Sequence, residues 1–134
     1  MRDDRGQTTA FVAVLLSAFL LCLGLVFDGG GMLRSRNEAA VLAQEAARAG
    51  AQQIDWAAYR AGGDAVGLDP AAAASAAQSF LAASGATGTV SVSGDTVTVT
   101  CSVSYSYVLL PMGSTTVGAT ATARPHTQPT SSSL

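Results

Sequence analysis

The chain has 134 residues, with nine acidic groups against seven basic ones, all arginine, for a net charge of −2. The arginines form no basic block, so there is no electrostatic footprint for nucleic acid. One histidine, His126, and two widely separated cysteines, Cys22 and Cys101, leave nothing from which a His/Cys metal site or a histidine-activated nucleophile could be assembled.

The first element is the uncharged run Thr8 to Phe27. At about 1.5 Å per residue a helix over 8–27 is about 30 Å long, the thickness of a bilayer's hydrocarbon core. Cleavable secretory signals have a shorter apolar region, about 7–15 residues, and a small-x-small cleavage site. Here Val26 and Phe27 precede the first charge, Asp28, so the run reads as a membrane helix that stays on the chain. Cys22, following two leucines, reads as a small apolar residue within it. Arg2 and Arg5 stand before the run and Arg34 and Arg36 after it, so charge alone leaves the orientation open.

The helix is expected to continue past Phe27. On a helical wheel Arg34, Glu38, Glu45, Arg48 and Gln52 share one side, while Met32, Ala39, Ala43, Ala46, Ala47, Gly50 and Ile54 share the other. Alanine and glycine allow close approach, either of the domain's own core or of other subunits; the pattern is compatible with both. Gly29, Gly30 and Gly31 each cost about 1 kcal/mol against alanine in a helix and predict a bend or melted turn at the membrane surface. With no Lys-Ser/Thr in Walker spacing, they do not make a phosphate loop.

The segment "DWAAYRAGGDAVG" reads as a loop, with Trp56 and Tyr59 beneath the domain or at an interface. In "DPAAAASAAQSFLAASG" a second helix is signalled: Asp69 can cap, Pro70 suits the first position, Gly85 suits the residue past the end, and Phe80 and Leu81 anchor it. From Thr87 the period becomes two. With Gly94 and Asp95 as turn residues, Ser93 pairs with Thr96, Val92 with Val97 and Val90 with Val99. Val97, Val99, Cys101, Val103, Tyr105 and Tyr107 then share one face of a long strand. "VLLPMGS" must turn, and Val117, Ala119, Ala121 and Ala123 line a third strand. From Arg124 the prolines and polar residues predict a disordered tail over 124–134.

These elements define an α+β chain: a long N-terminal transmembrane and amphipathic helix, a second short helix and a small three-stranded antiparallel sheet. Large apolar residues are sparse after position 38, so the core is thin. Asp28, Asp55, Asp64, Asp69 and Asp95 are accounted for as helix-end or turn groups. No catalytic, cofactor-binding or metal-ligating set is nominated, and an enzyme is not expected.

The order of parts carries a resemblance. A short charged N-terminus ends in Arg5 and Gly6. An apolar run follows, closed by Asp28 and Gly29, then the stretch "DGGGMLRSRNEAAVLAQEAARAGA", then Thr/Val strands ending in "ATATA". Over most of its length this resembles the TadE/TadG-like minor pilins, or pseudopilins, of the Tad (Flp) pilus-assembly system. The resemblance implies a single-pass protein of the cytoplasmic membrane, with residues 1–7 inside and a pilin-like domain, 28–123, outside. It further implies that the protein assists assembly of a type IV-like pilus alongside other pilin-like subunits and the bilayer. Prepilin peptidase would cut between Gly6 and Gln7. Substrates in that system carry a glutamate five residues after the glycine, where this chain has Phe11. A different class of function is a membrane-tethered binding module unrelated to pili, recruiting a partner through an edge formed by Tyr105, Tyr107, Leu109 and Leu110.

Overall fold

The computed structural model describes residues 4–62 and 66–126. Helix α1 spans Asp4–Ala51, α2 spans Trp56–Arg60 and α3 spans Pro70–Ala83; strands β1, β2 and β3 span Thr87–Ser93, Thr96–Ser106 and Ser114–Ala123. The fold is α+β, with the three strands in one antiparallel sheet ordered β1-β2-β3. α1 and α3 pack on each other and on the sheet.

α1 is one helix of 48 residues, about 72 Å long. It runs without interruption through Gly29, Gly30 and Gly31, so the melted turn anticipated there does not form. Extending an existing helix fixes one residue for each hydrogen bond gained, and that outweighs a weak glycine propensity once long helical segments flank it on both sides. The expected boundary at 27/28 between membrane run and domain is therefore not a break in secondary structure. The first half of α1 is bare: Phe11, Val14, Leu21, Val26 and Phe27 are all exposed.

The second half is the spine of the domain. Ala39, Ala43, Ala46 and Ala47 are fully buried, and they form one core with Ala73, Ala77 and Leu81 of α3 and Val97, Val99 and Cys101 of β2. Gly50 shows how close the approach is: a Cβ there would stand 2.9 Å from the Ala73 carbonyl oxygen and 3.0 Å from Val97 Cγ1. Of the residues sharing that side of the wheel, Met32 is exposed, and Ile54 is not on the helix at all. α1 stops at Ala51, and Ile54 instead forms an isolated antiparallel bridge with Leu68.

The segment read as a loop contains a short helix, α2. Asp55 caps it by accepting from Ala58 N–H at 2.9 Å. Trp56 and Tyr59 lie exposed on it with their rings edge to face, so neither plugs the core. α3 begins as its sequence predicts, with Asp69 accepting from Ala71 and Ala72 N–H and Pro70 at the first position. It ends in a Schellman arrangement, Ala86 N–H to Leu81 O and Gly85 N–H to Ala82 O, with Gly85 at φ +68°.

The hairpin register has the predicted pairs Ser93↔Thr96, Val92↔Val97 and Val90↔Val99. Positive φ is confined to Gly94 in this turn, which suits glycine as the first central residue of a II′ hairpin. β3 pairs Val99 with Ala121, Cys101 with Ala119 and Val103 with Val117, so β2 is central. Cys22 is exposed and Cys101 buried, both as free thiols. Burial raises the Cys101 pKa and holds it as an unreactive thiol. Of the tail expected to be disordered, Arg124 lies within the described residues, donating from Nε to Thr96 Oγ1 at 3.0 Å; positions 127–134 lie outside them.

This packing generates a stability prediction. Replacing Ala46 with leucine in the full-length protein in detergent should cost about 1–3 kcal/mol, because the face has no room for added methylenes. Glu45→Lys, on the exposed side, should stay within about 0.5 kcal/mol of the parent. Thermal unfolding followed by circular dichroism measures both.

Candidate functional site: a carboxylate clamp at the foot of the domain

The most heavily constrained polar group in the chain is Asp28, the first residue after the apolar run and the only buried charged side chain among the described residues. It projects from α1 toward the β2–β3 connection, residues 107–113. Its Oδ1 accepts from Val108 N–H at 3.0 Å and its Oδ2 from Leu110 N–H at 2.7 Å. Leu109 N–H lies between them, at 3.1 Å from Oδ2 and 3.4 Å from Oδ1. The Tyr105 hydroxyl donates to Oδ1 at 3.4 Å.

Three successive amides converging on one carboxylate form a concave anion site built from main chain. Burying an unpaired carboxylate is costly, whereas donors of this kind favour the charged form. The tyrosine responds in the complementary sense. Burial, and then the adjacent Asp28 carboxylate, push the Tyr105 pKa up, so it stays a hydroxyl and a donor.

The local sequence provides the clearance. Gly31 lies one turn above Asp28 under the Tyr105 ring: a Cβ there would overlap the hydroxyl and come within 2.8 Å of Cε2 and Cζ. Gly24 lies one turn below, where a Cβ would stand 3.6 Å from Leu109 Cβ and 3.7 Å from Leu110 Cδ2. Glycines at 24 and 31 thus let the loop lie flat on the stem, with Asp28 between them. Tyr107 packs edge to face on Tyr105 at 5.5 Å between centroids.

Read from sequence, Asp28 is a helix-end group and Tyr105, Tyr107, Leu109 and Leu110 an edge for a partner. The structure instead turns Tyr105 and Leu110 back onto the chain's own stem. The partners of Asp28 lie 77 to 82 residues away, so no local pattern announces them. The signal that was available is the loss of alternation at "VLLPMGS". Among the other sequence candidates, Gly6 and Gln7 lie within the first turns of α1, exposed. Ala39, Ala43, Ala46, Ala47 and Gly50 are occupied by the domain's own sheet and α3, and Ile54 is half-buried beyond the helix end. Among the described residues there is no group of three or more His, Cys, Asp or Glu placed to hold a metal ion.

The structure therefore defines a class: an exposed apolar stem continuous with a small sheet domain that is clamped to it at one point. α1 is the one helix among the described residues long and apolar enough to cross a membrane. Residues 6–53 match a family described as "Putative Flp pilus-assembly TadE/G-like". That match covers a little over a third of the chain: the apolar run, Asp28 and the alanine face of α1, ending before α2. Over those residues, which include the N-terminal apolar helix, the chain is thus similar to a TadE/G-like pilus-assembly domain. No curated protein and no solved structure matches it.

Asp28→Asn keeps the volume but replaces an acceptor oxygen with a donor amide facing three N–H groups. Amide exchange at Val108, Leu109 and Leu110 should speed up by on the order of tenfold or more, since bonds to a charged acceptor are among the stronger ones. Tyr105→Phe removes only a long contact and should have a smaller effect at the same amides. Hydrogen exchange resolved by residue, on the full-length chain in detergent, distinguishes the two.

Proposed function

We propose that this protein is a membrane-anchored accessory subunit, minor-pilin-like, that assists assembly of a Tad/Flp type IV-like pilus. The observation that carries the reading is the coincidence of the family match at 6–53 with a single helix, bare over its apolar half and packed into a domain over the other half. In this reading residues 8–27 cross the cytoplasmic membrane once, the N-terminus lies inside, and the domain lies outside. The role is structural, without catalysis, and the partners are other pilin-like subunits and the bilayer.

The alanine face from Ala39 to Gly50 serves the domain's own core, so contacts with other subunits fall to the exposed stem and to outer surfaces of the domain. The alternative, a tethered binding module working through Tyr105, Tyr107, Leu109 and Leu110, would present chiefly Leu109 to a partner. Tyr105 is engaged with Asp28, and Leu110 is half-buried beside Gly24.

The full-length protein should remain in the membrane pellet after an alkaline carbonate wash and co-isolate with other Tad assembly subunits from native membranes. Recovery in the supernatant would remove the anchor. The mature terminus gives a separate expectation. With Phe11 where the peptidase substrates carry glutamate, the chain should begin at Met1 or Arg2. Intact-mass analysis reads this directly: a start at Gln7 indicates cleavage after Gly6, and a start beyond Phe27 overturns the anchor altogether.

A further inference from the structure

The β2–β3 loop carries three exposed large apolar side chains, Val108, Leu109 and Met112, at 70%, 56% and 65% exposure. Outside α1, the only others among the described residues are Trp56 and Tyr59. No charged residue occurs between Asp95 and Arg124, so the hairpin bearing this loop is electrically neutral throughout.

The height of the loop on the stem is fixed by its contact with Gly24. Gly24 lies inside the apolar run, about 4.5 Å below its last residue, Phe27. Around it on the helix, Leu21, Leu25, Val26 and Phe27 are exposed, so the apolar surface of the loop is continuous with that of the stem.

Irregular backbone is tolerated at membrane depth only when its polar groups are satisfied by protein. Here they are, on the donor side. Tyr107 N–H bonds to Gly113 O, and Met112 N–H to Leu110 O. Val108, Leu109 and Leu110 N–H bond to Asp28, and Pro111 has no N–H. Every amide donor from Tyr107 to Met112 is thus matched within the chain, although the side chains around them are bare.

From the loop's depth, its apolar surface and its matched donors, we infer that it is a second membrane contact: Val108, Leu109 and Met112 enter the outer bilayer interface beside the stem, with the lipid surface as their partner. The inference rests on the stem spanning the bilayer. Asp28 then has a chemical purpose beyond holding the domain, because it supplies the acceptors that let three peptide groups leave water. The domain is moored at two adjacent points and cannot swivel freely about the stem axis.

The test uses full-length protein in phosphatidylcholine vesicles, with and without bromine on the acyl chains, and one tryptophan per protein. Native Trp56 follows the upper end of α1, which at Ala51 lies about 40 Å along the axis from Gly24. Val108→Trp reports the loop and Phe19→Trp the stem, each in a Trp56→Phe background. Both should lose emission roughly twofold in brominated lipid, as expected of an indole in or below the interface, while Trp56 is unaffected. Quenching at position 19 without quenching at 108 overturns the loop contact and leaves the anchor intact. No quenching at position 19 overturns the anchor itself. A blue-shifted, unquenched Trp at 108 whose shift grows with protein-to-lipid ratio means that a second copy covers the loop, and also overturns the lipid contact. Asp28→Asn combined with Val108→Trp should weaken the quenching at 108 while leaving that at 19 unchanged, and equal quenching in both backgrounds overturns the role given to Asp28.

Discussion

A carboxylate without solvent must be given donors by the protein, and at Asp28 those donors all come from one stretch of backbone. This requirement ties together parts of the chain that are otherwise far apart. The loop has to present Val108, Leu109 and Leu110 N–H in a row, which in turn ends the regular pairing of β2 with β3 beyond Ser106 and Ser114. The helix has to be smooth on either side, which Gly24 and Gly31 provide. The sheet, whose core face is already laid along α1, is thereby pinned at its lower end as well.

The upper contact works by a different physics. Around Ala43, Ala46, Ala47 and Gly50 the stabilisation comes from the short distance at which α1, α3 and β2 meet rather than from large side chains. Such a core buries little apolar area per residue, and hydrophobic stabilisation scales with that area. A polar clamp at one end and close packing at the other complement each other: the clamp fixes register and direction, while the packing supplies cohesion. The same long helix contributes to both, so perturbing one is expected to couple to the other through a rigid element.

What the sequence revealed and what it concealed follows the range of the interactions. The hairpin at Gly94–Asp95 and the helix starting at Asp69–Pro70 are signalled by neighbours in the chain, and both occur with the register and caps the residues suggest. The alanine stripe is also visible, but periodicity cannot say which surface will meet it; the sheet and α3 do. The short α2 was legible in principle, since Asp55 is a good cap, but the glycines after it argued for a loop. The glycine triplet misleads because local propensity does not include the helix on either side. Asp28 was hidden for the strongest reason: its role depends on a loop about eighty residues away, and a lone aspartate after an apolar run looks like a boundary marker.

The unbroken passage of α1 from membrane run to core has a mechanical consequence. A flexible neck would let the sheet domain sample orientations independently of the apolar segment, whereas in the anchored reading proposed here a single helix acts as a lever with its fulcrum at the bilayer. From Phe27 to Ala51 the arm is about 36 Å, so a tilt of the stem by roughly 10° swings the far end of the domain by about 6 Å. In that reading, a change in bilayer thickness is converted into a displacement of the outer surface large enough to make or break a contact there.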